Sequence, residues 1–308
     1  MTIRTLLLAA GFAALANFFW ATNAIVGKIV VSAVPAFTLS QFRWFLALVL
    51  IAPFGLPHIR RQWSWYRQHL GKLLVLSVLS VTLYNTLQYW ALVYTQPVNI
   101  GAMSALMPVM IFMLSGLLGQ GRLTLVQWAT ACLAIIGAWL VLTDGRGVLS
   151  VSERGLIGDG IFFIALLCWS FYSVVLKTLP SENINGVGLL TFLIGCGTVA
   201  ILPFWLGGVA AGDALWPPVS VLWAVVYVAI FPSLVSFFCW IRAVSIGDAN
   251  LAGLMMTTAP LFNAILTLVI LREPVSGGQW FGILLVILGV STTLLLAKRV
   301  KLPKTGTP

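Results

Sequence analysis

The sequence predicts an all-α integral membrane protein: ten transmembrane helices, set as two inverted five-helix repeats around a central cavity. Three observations carry that reading. Only 8% of the 308 residues are charged and 60% are hydrophobic, whereas a soluble domain carries roughly 25% charged residues. So few charges cannot coat a water-facing globule, and lipid must be the solvent for most of the surface. The charges that are present fall between long uncharged stretches. A pattern of residues also recurs after about 150 positions.

The uncharged stretches are 5–27, 44–59, 73–121, 123–143, 160–176, 183–212, 214–241, 249–271 and 274–297. A spanning helix needs about 20 residues. The first stretch is too long for the apolar core of a signal peptide and reads as a retained first span. The second is short, but a helix starting near Phe37 and admitting Arg43 restores its length. Stretch 73–121 holds two spans, divided by the turn signal Tyr94-Thr-Gln-Pro-Val-Asn99. The later stretches each supply one span, which brings the count to ten. Unpaired backbone groups in lipid cost several kcal/mol each, so a span is a helix or a closed barrel. These runs are continuously apolar, and barrel strands would alternate.

The remaining composition excludes several classes. The net charge of +10 is spread thinly along the chain, with one dense cluster at Lys298, Arg299, Lys301 and Lys304. That is membrane-flanking charge rather than a nucleic-acid surface. Cys132, Cys168, Cys196 and Cys239 lie in apolar runs as free thiols, and His58 and His69 share one basic loop. No metal-ligand spacing exists, and no cofactor is implied.

Lys and Arg set the orientation. With the N-terminus cytoplasmic, the inner side holds Arg4, Arg60, Arg61, Arg67, Lys72, Arg122, Lys177, Arg242 and the basic tail. The outer side holds only Lys28, Arg43, Arg146, Arg154 and Arg272. The bias places both termini in the cytoplasm of a cell whose inner (plasma) membrane carries the chain.

The repeat is visible in ordered pairs. Trp20 and Lys28 recur as Trp169 and Lys177, Trp90 as Trp240, Pro108 as Pro260, Gln127-Trp128 as Gln279-Trp280, and Gly137 as Gly289. All offsets lie between 149 and 152 residues. Residues 1–147 form the first repeat, 155–299 the second, and 300–308 a basic cytoplasmic tail. A unit of five spans is odd, so its copy must enter the membrane from the opposite face. Inverted repeats suit alternating access, with substrate held near the midplane.

Ala91-Leu-Val-Tyr94-Thr95 followed by Ala105-Leu-Met-Pro108-Val resembles the third and fourth helices of the drug/metabolite transporter superfamily, EamA-like branch. So does Phe42-Arg43-Trp-Phe at the start of span 2, and Leu271-Arg-Glu273-Pro-Val followed by Gly282 and Gly289 resembles that family's last helix junction. The resemblance runs from about Leu8 to Leu296. The family usually has Glu at the corresponding first-half junction, where Gly121 stands here. Within the superfamily the aromatic-rich helices look like bacterial exporters of aromatic and other neutral amino acids. The resemblance implies ten helices around a cavity, small metabolites as cargo and export as the direction.

Polar groups inside a span are costly and ask for a partner or a pathway. Trp20, Asn23 and Gly27 share one face of span 1. Span 3 carries Tyr84, Asn85, Gln88 and Tyr89, span 4 carries Ser104 among methionines, span 6 carries Trp169 and Tyr172, and span 8 carries Ser233, Ser236 and Trp240. Trp20, Asn23, Tyr84, Asn85, Tyr89, Ser104, Trp169, Tyr172 and Trp240 are therefore the candidate cavity residues. Aromatic walls would bury an apolar side chain, and amides and hydroxyls would meet an ammonium and a carboxylate. The bland alternative is interhelical hydrogen-bond glue. Pro108 and Pro260 interrupt equivalent helices and are hinge or gate candidates. Trp63, Trp65, Tyr66, Trp216, Trp223 and Trp280 read as interface anchors.

The expected function is alternating-access export of small neutral metabolites, best matched by amino acids including aromatic ones. Lys28, Arg43, Asp159, Lys177, Arg242, Asp248 and Glu273 all sit near predicted span ends; no Asp or Glu falls at mid-span, so facilitated diffusion or exchange is expected. Lys28 and Lys177 read as snorkelling cations. The alternatives are a carrier of phosphorylated or nucleotide-sugar metabolites, which needs deep cations, and a non-transporting membrane subunit. No nucleophile–base pair supports an enzyme. The expected partners are an amino-acid-like small molecule and the bilayer.

Overall fold

Apolar runs this long have one economical way to satisfy their backbone, and every described element is helical. The computed structural model describes residues 3–117, 125–146, 153–176, 178–180, 184–246 and 255–300. Gly121, Arg122, Lys177, Asp248 and tail residues 301–308, named above, lie outside the described residues.

The helices are α1 (Ile3–Val30), α2 (Ala36–Arg61), α3 (Leu70–Leu92), α4 (Pro97–Ser104), α5 (Met107–Leu117), α6 (Leu125–Leu142), α7 (Glu153–Leu176), α8 (Gly186–Ala210), α9 (Val219–Ala243), α10 (Met256–Leu271) and α11 (Gly277–Val300). A short helix, Trp63–Gln68, joins α2 to α3. Six of these, α1, α2, α3, α7, α8 and α9, are long and apolar enough to cross a membrane. α2 begins at Ala36, as the rescue of stretch 44–59 required. Large aliphatic and aromatic side chains stand outward, among them Phe54 (70% exposed), Val269 (65%) and Val199 (64%). Such a surface suits hydrocarbon.

Packing divides the chain into two compact units. One comprises Met1–Ala21, Pro97–Val151 and Phe238–Pro308, and the other Thr22–Gln96 and Ser152–Phe237. Each unit takes helices from both halves of the sequence. The packing units therefore do not follow the boundary between the two halves of the sequence.

Within each unit, helices at equivalent positions of the two halves lie against each other, antiparallel. In the second unit the late residue Gly55 of α2 meets the early residue Thr191 of α8. The early residue Phe37 stacks on the late residue Phe204 at 5.7 Å. Trp44, Ala47, Ile194 and Ile201 form the core between them. In the first unit the late Gly137 of α6 meets the early Gly282 of α11, and Gly145 meets Gly278. Ala134, Ala138, Val286 and Val290 close that core. Small residues let these backbones approach closely.

Two local irregularities also recur. α3 widens into π turns over Val78–Tyr84, and α9 does so over Phe231–Val235. Pro232 lacks an N–H and explains the second. Side chains cover the carbonyls that the wide turns release: Asn85 Nδ2 donates to Ser80 O (2.8 Å), Ser233 Oγ to Val228 O (2.8 Å) and Ser236 Oγ to Phe231 O (3.2 Å). The two proline interruptions correspond as well. The helix breaks after Ser104 and restarts at Met107, with Pro108 in its first turn. α10 opens as a tight turn, Met256–Thr258, before Pro260. A proline in the first turn gives up an N–H that has no intrahelical partner.

Candidate functional site

In the second unit a polar network gathers around Arg43. Two turns inside α2, its side chain is only 2% exposed. Nε donates to Ser233 Oγ of α9 at 2.8 Å. Nη1 donates to the Tyr89 hydroxyl of α3 at 2.7 Å and to Asn23 Oδ1 of α1 at 3.3 Å. Tyr89 in turn donates to Asn23 Oδ1 at 2.7 Å. Asn23 Nδ2 reaches Gln88 Oε1 at 3.5 Å. The guanidinium carbon lies 4.6 Å from the Trp44 ring centroid and 5.6 Å from that of Tyr89. Four helices thus meet on one cation, and hydrogen bonds and π faces compensate its burial in part.

Beside the network on α3, an aromatic group forms. Tyr84 lies 4.6 Å from Trp169 of α7, which lies 5.0 Å from Tyr172. Phe162 stands 6.4 Å from Tyr84. Trp169 and Tyr172 are half-buried, so their rings are not sealed in the core. In the first unit, Trp20 and Trp240 pair at 5.6 Å. Asn17 Nδ2 there donates to Met255 O at 2.7 Å.

The nominated residues therefore fall into two sets. Asn23, Tyr84, Asn85, Tyr89, Trp169 and Tyr172 belong to the second unit, and Trp20, Ser104, Trp240, Pro108 and Pro260 to the first. Within the second, Asn23 joins Tyr89, and Tyr84 joins Trp169 and Tyr172. The Asn85 amide is turned onto its own helix, and Tyr89 is fully buried with its hydroxyl engaged. Gly27 faces α3: a Cβ there would stand 2.9 Å from Leu92 and 3.0 Å from the Tyr89 ring.

Four expectations need correction. Arg43 was grouped with the end-of-span charges, because the uncharged stretch starts just after it. A helix beginning at Ala36 carries it inward instead. Asp159 was placed likewise at an end, yet it is 6% exposed and accepts from Thr95 Oγ1. The Lys28 ammonium donates to Leu92 O (3.0 Å) and Thr95 O (2.8 Å), capping the C-terminus of α3 where cations are favoured, and it does not simply snorkel. Tyr66, expected as an interface anchor, is fully buried against Phe192 at 4.9 Å. Burial pushes its phenol up to about 12.

An all-helical chain with membrane-length helices and polar and aromatic groups turned inward has the make-up of a multi-pass membrane transporter. The sequence model of the EamA-like transporter family matches residues 7–143 and again 156–295. The chain belongs to that family. It is similar to the uncharacterized transporter YetK of Bacillus subtilis, 26% identical over 90% of this chain and 84% of the relative. It is 25% identical to the aromatic amino acid exporter YddG of Ancylobacter novellus over 94% of this chain and 97% of that one. Half of it resembles half of the threonine/homoserine exporter RhtA of Salmonella typhimurium, at 27% identity. A solved crystal structure of 23% identity superposes with a TM-score of 0.66, covering 96% of this chain and 99% of the other, which supports the fold.

Proposed function

We propose that this protein is an alternating-access exporter of small neutral metabolites, with amino acids, including aromatic ones, as cargo. The single observation that carries the reading is the antiparallel pairing of equivalent helices, α2 with α8 and α6 with α11. A two-fold axis in the membrane plane brings equivalent helices together in that sense, and an axis along the normal would bring them together parallel. Two inverted five-helix repeats, residues 1–147 and 155–299, satisfy this with ten helices, where α4 and α5 together make one span. Exchanging the conformations of the repeats then converts one facing state into the other. Pro108 and Pro260, each just past a helix break, are the hinges.

The half-buried Tyr84, Trp169 and Tyr172 supply the surface for an apolar side chain. The relatives that export aromatic amino acids and threonine or homoserine favour the same class of cargo. Both termini face the cytoplasm of the plasma membrane, by the lysine and arginine bias.

Transport runs by facilitated diffusion or exchange. Purified protein in liposomes should take up labelled phenylalanine and threonine with no ion gradient imposed. Trp169→Ala should slow phenylalanine uptake about tenfold at unchanged expression, the loss of one aromatic wall. Uptake of sugar phosphates alone would replace the cargo assignment. Strict dependence on a proton gradient, abolished by Asp159→Asn, would replace the mechanism by proton coupling.

A further inference from the structure

The Arg43 network is unbalanced. A guanidinium carries five N–H donors. Nε uses one on Ser233, and Nη1 uses two on Asn23 and Tyr89. Nη2 carries the other two, and none of the bonds of this network uses them. Every partner of the cation is neutral, and none is a carboxylate. A second donor next to it is also unmet: Trp44, whose ring lies 4.6 Å from the guanidinium carbon, has a buried indole Nε1–H with no acceptor. Indole nitrogen can only donate. Two kinds of donor at this cation, the Nη2 group and the Trp44 indole N–H, are thus left over. A buried charge without a counter-ion costs several kcal/mol, and such sites are retained where the charge has work to do.

We infer that Arg43 is the receptor for the α-carboxylate of the cargo, which binds through Nη2 as a charge-assisted hydrogen bond. This rests on the amino-acid reading proposed above. The network holds one positive charge, and its other members, Asn23, Gln88, Tyr89 and Ser233, are neutral. One unit of negative charge matches it. A dianionic phosphate ester would need further cations. The Nε and Nη1 bonds fix the guanidinium plane from three helices, so its free nitrogen is aimed before cargo arrives.

The test compares phenylalanine with phenylalaninamide, which lacks the carboxylate charge, as competitors of labelled phenylalanine in liposomes. For the natural protein the amide should compete about tenfold less well or worse, the usual loss of a charge-assisted bond. In Arg43→Gln the affinity for phenylalanine should fall about tenfold and the two competitors should converge to within about threefold. Full discrimination in a folded Arg43→Gln protein would overturn the inference and leave the amino-acid assignment standing. No phenylalanine transport by the natural protein, with uptake of sugar phosphates, would overturn both. If Arg43→Gln does not reach the membrane, phenylglyoxal labelling of Arg43 in the natural protein, read by mass spectrometry, decides. Phenylalanine should slow it about fivefold or more, as an occupied site does near saturation, and the amide should not. Equal slowing, or none, would again overturn the inference.

Discussion

At the scale of single residues, environment rather than residue type separates the tyrosines. Tyr84 and Tyr172 stay half-buried in an aromatic group, Tyr89 spends its hydroxyl on Asn23 and Arg43, and Tyr66 has a buried hydroxyl with no partner. For Tyr66 the consequence can be measured. Its folded pKa is raised from 10.0 to about 12, so the protonated phenol is the form the fold favours. That contribution is complete below pH 10 and is lost as pH rises through about 12. Tyr66→Phe should remove this part of the alkaline loss of stability in detergent, and at neutral pH it should be neutral or slightly stabilising, because it deletes an unsatisfied hydroxyl. A Tyr66→Phe melting profile that falls as steeply as the natural one between pH 10 and 12 would sink the argument.

At the scale of elements, glycine position decides packing. A Cβ on Gly137 would stand 2.6 Å from both Gly282 O and Val286 N, backbone atoms that cannot rotate away. Gly137→Ala must push α6 from α11 and should destabilise by about 1–3 kcal/mol, read as a lower melting temperature in detergent. Gly11 in α1 has nothing within 4 Å of that position. Gly11→Ala should be neutral or stabilise by up to about 1 kcal/mol, the helix-propensity difference. The π turns in α3 and α9 belong to this scale too. Each places an amide or hydroxyl against its own backbone, which is why Asn85, a candidate from its depth in the span, is bonded to Ser80 O.

At the scale of the whole molecule, the prediction concerns topology. If the halves are inverted, the N-terminal ends of α1 and α7 open on opposite faces. In a cysteine-free background, Arg4→Cys and Arg154→Cys should react with a membrane-impermeant maleimide from opposite sides of intact cells or oriented vesicles. Labelling of both from one side would remove the inverted repeat and the alternating-access mechanism with it. The two packing units take helices from both halves of the sequence, so the test addresses the duplication directly and not the packing.

The sequence by itself determined the membrane class and the long apolar helices, because both depend on one-dimensional quantities: the spacing of charges and the length of apolar runs. It also picked out Asn23, Tyr84, Tyr89, Trp169 and Tyr172 as groups in need of company, since polar atoms in an apolar run are costly wherever they point. Only the tertiary structure decided who answers them. Arg43 and Asp159 looked like boundary charges, and the register of α2 and α7 carried both into the interior. The Arg43 network joins residues as far apart as positions 23 and 233. No periodicity encodes contacts of that separation, because they depend on how four helices cross in space.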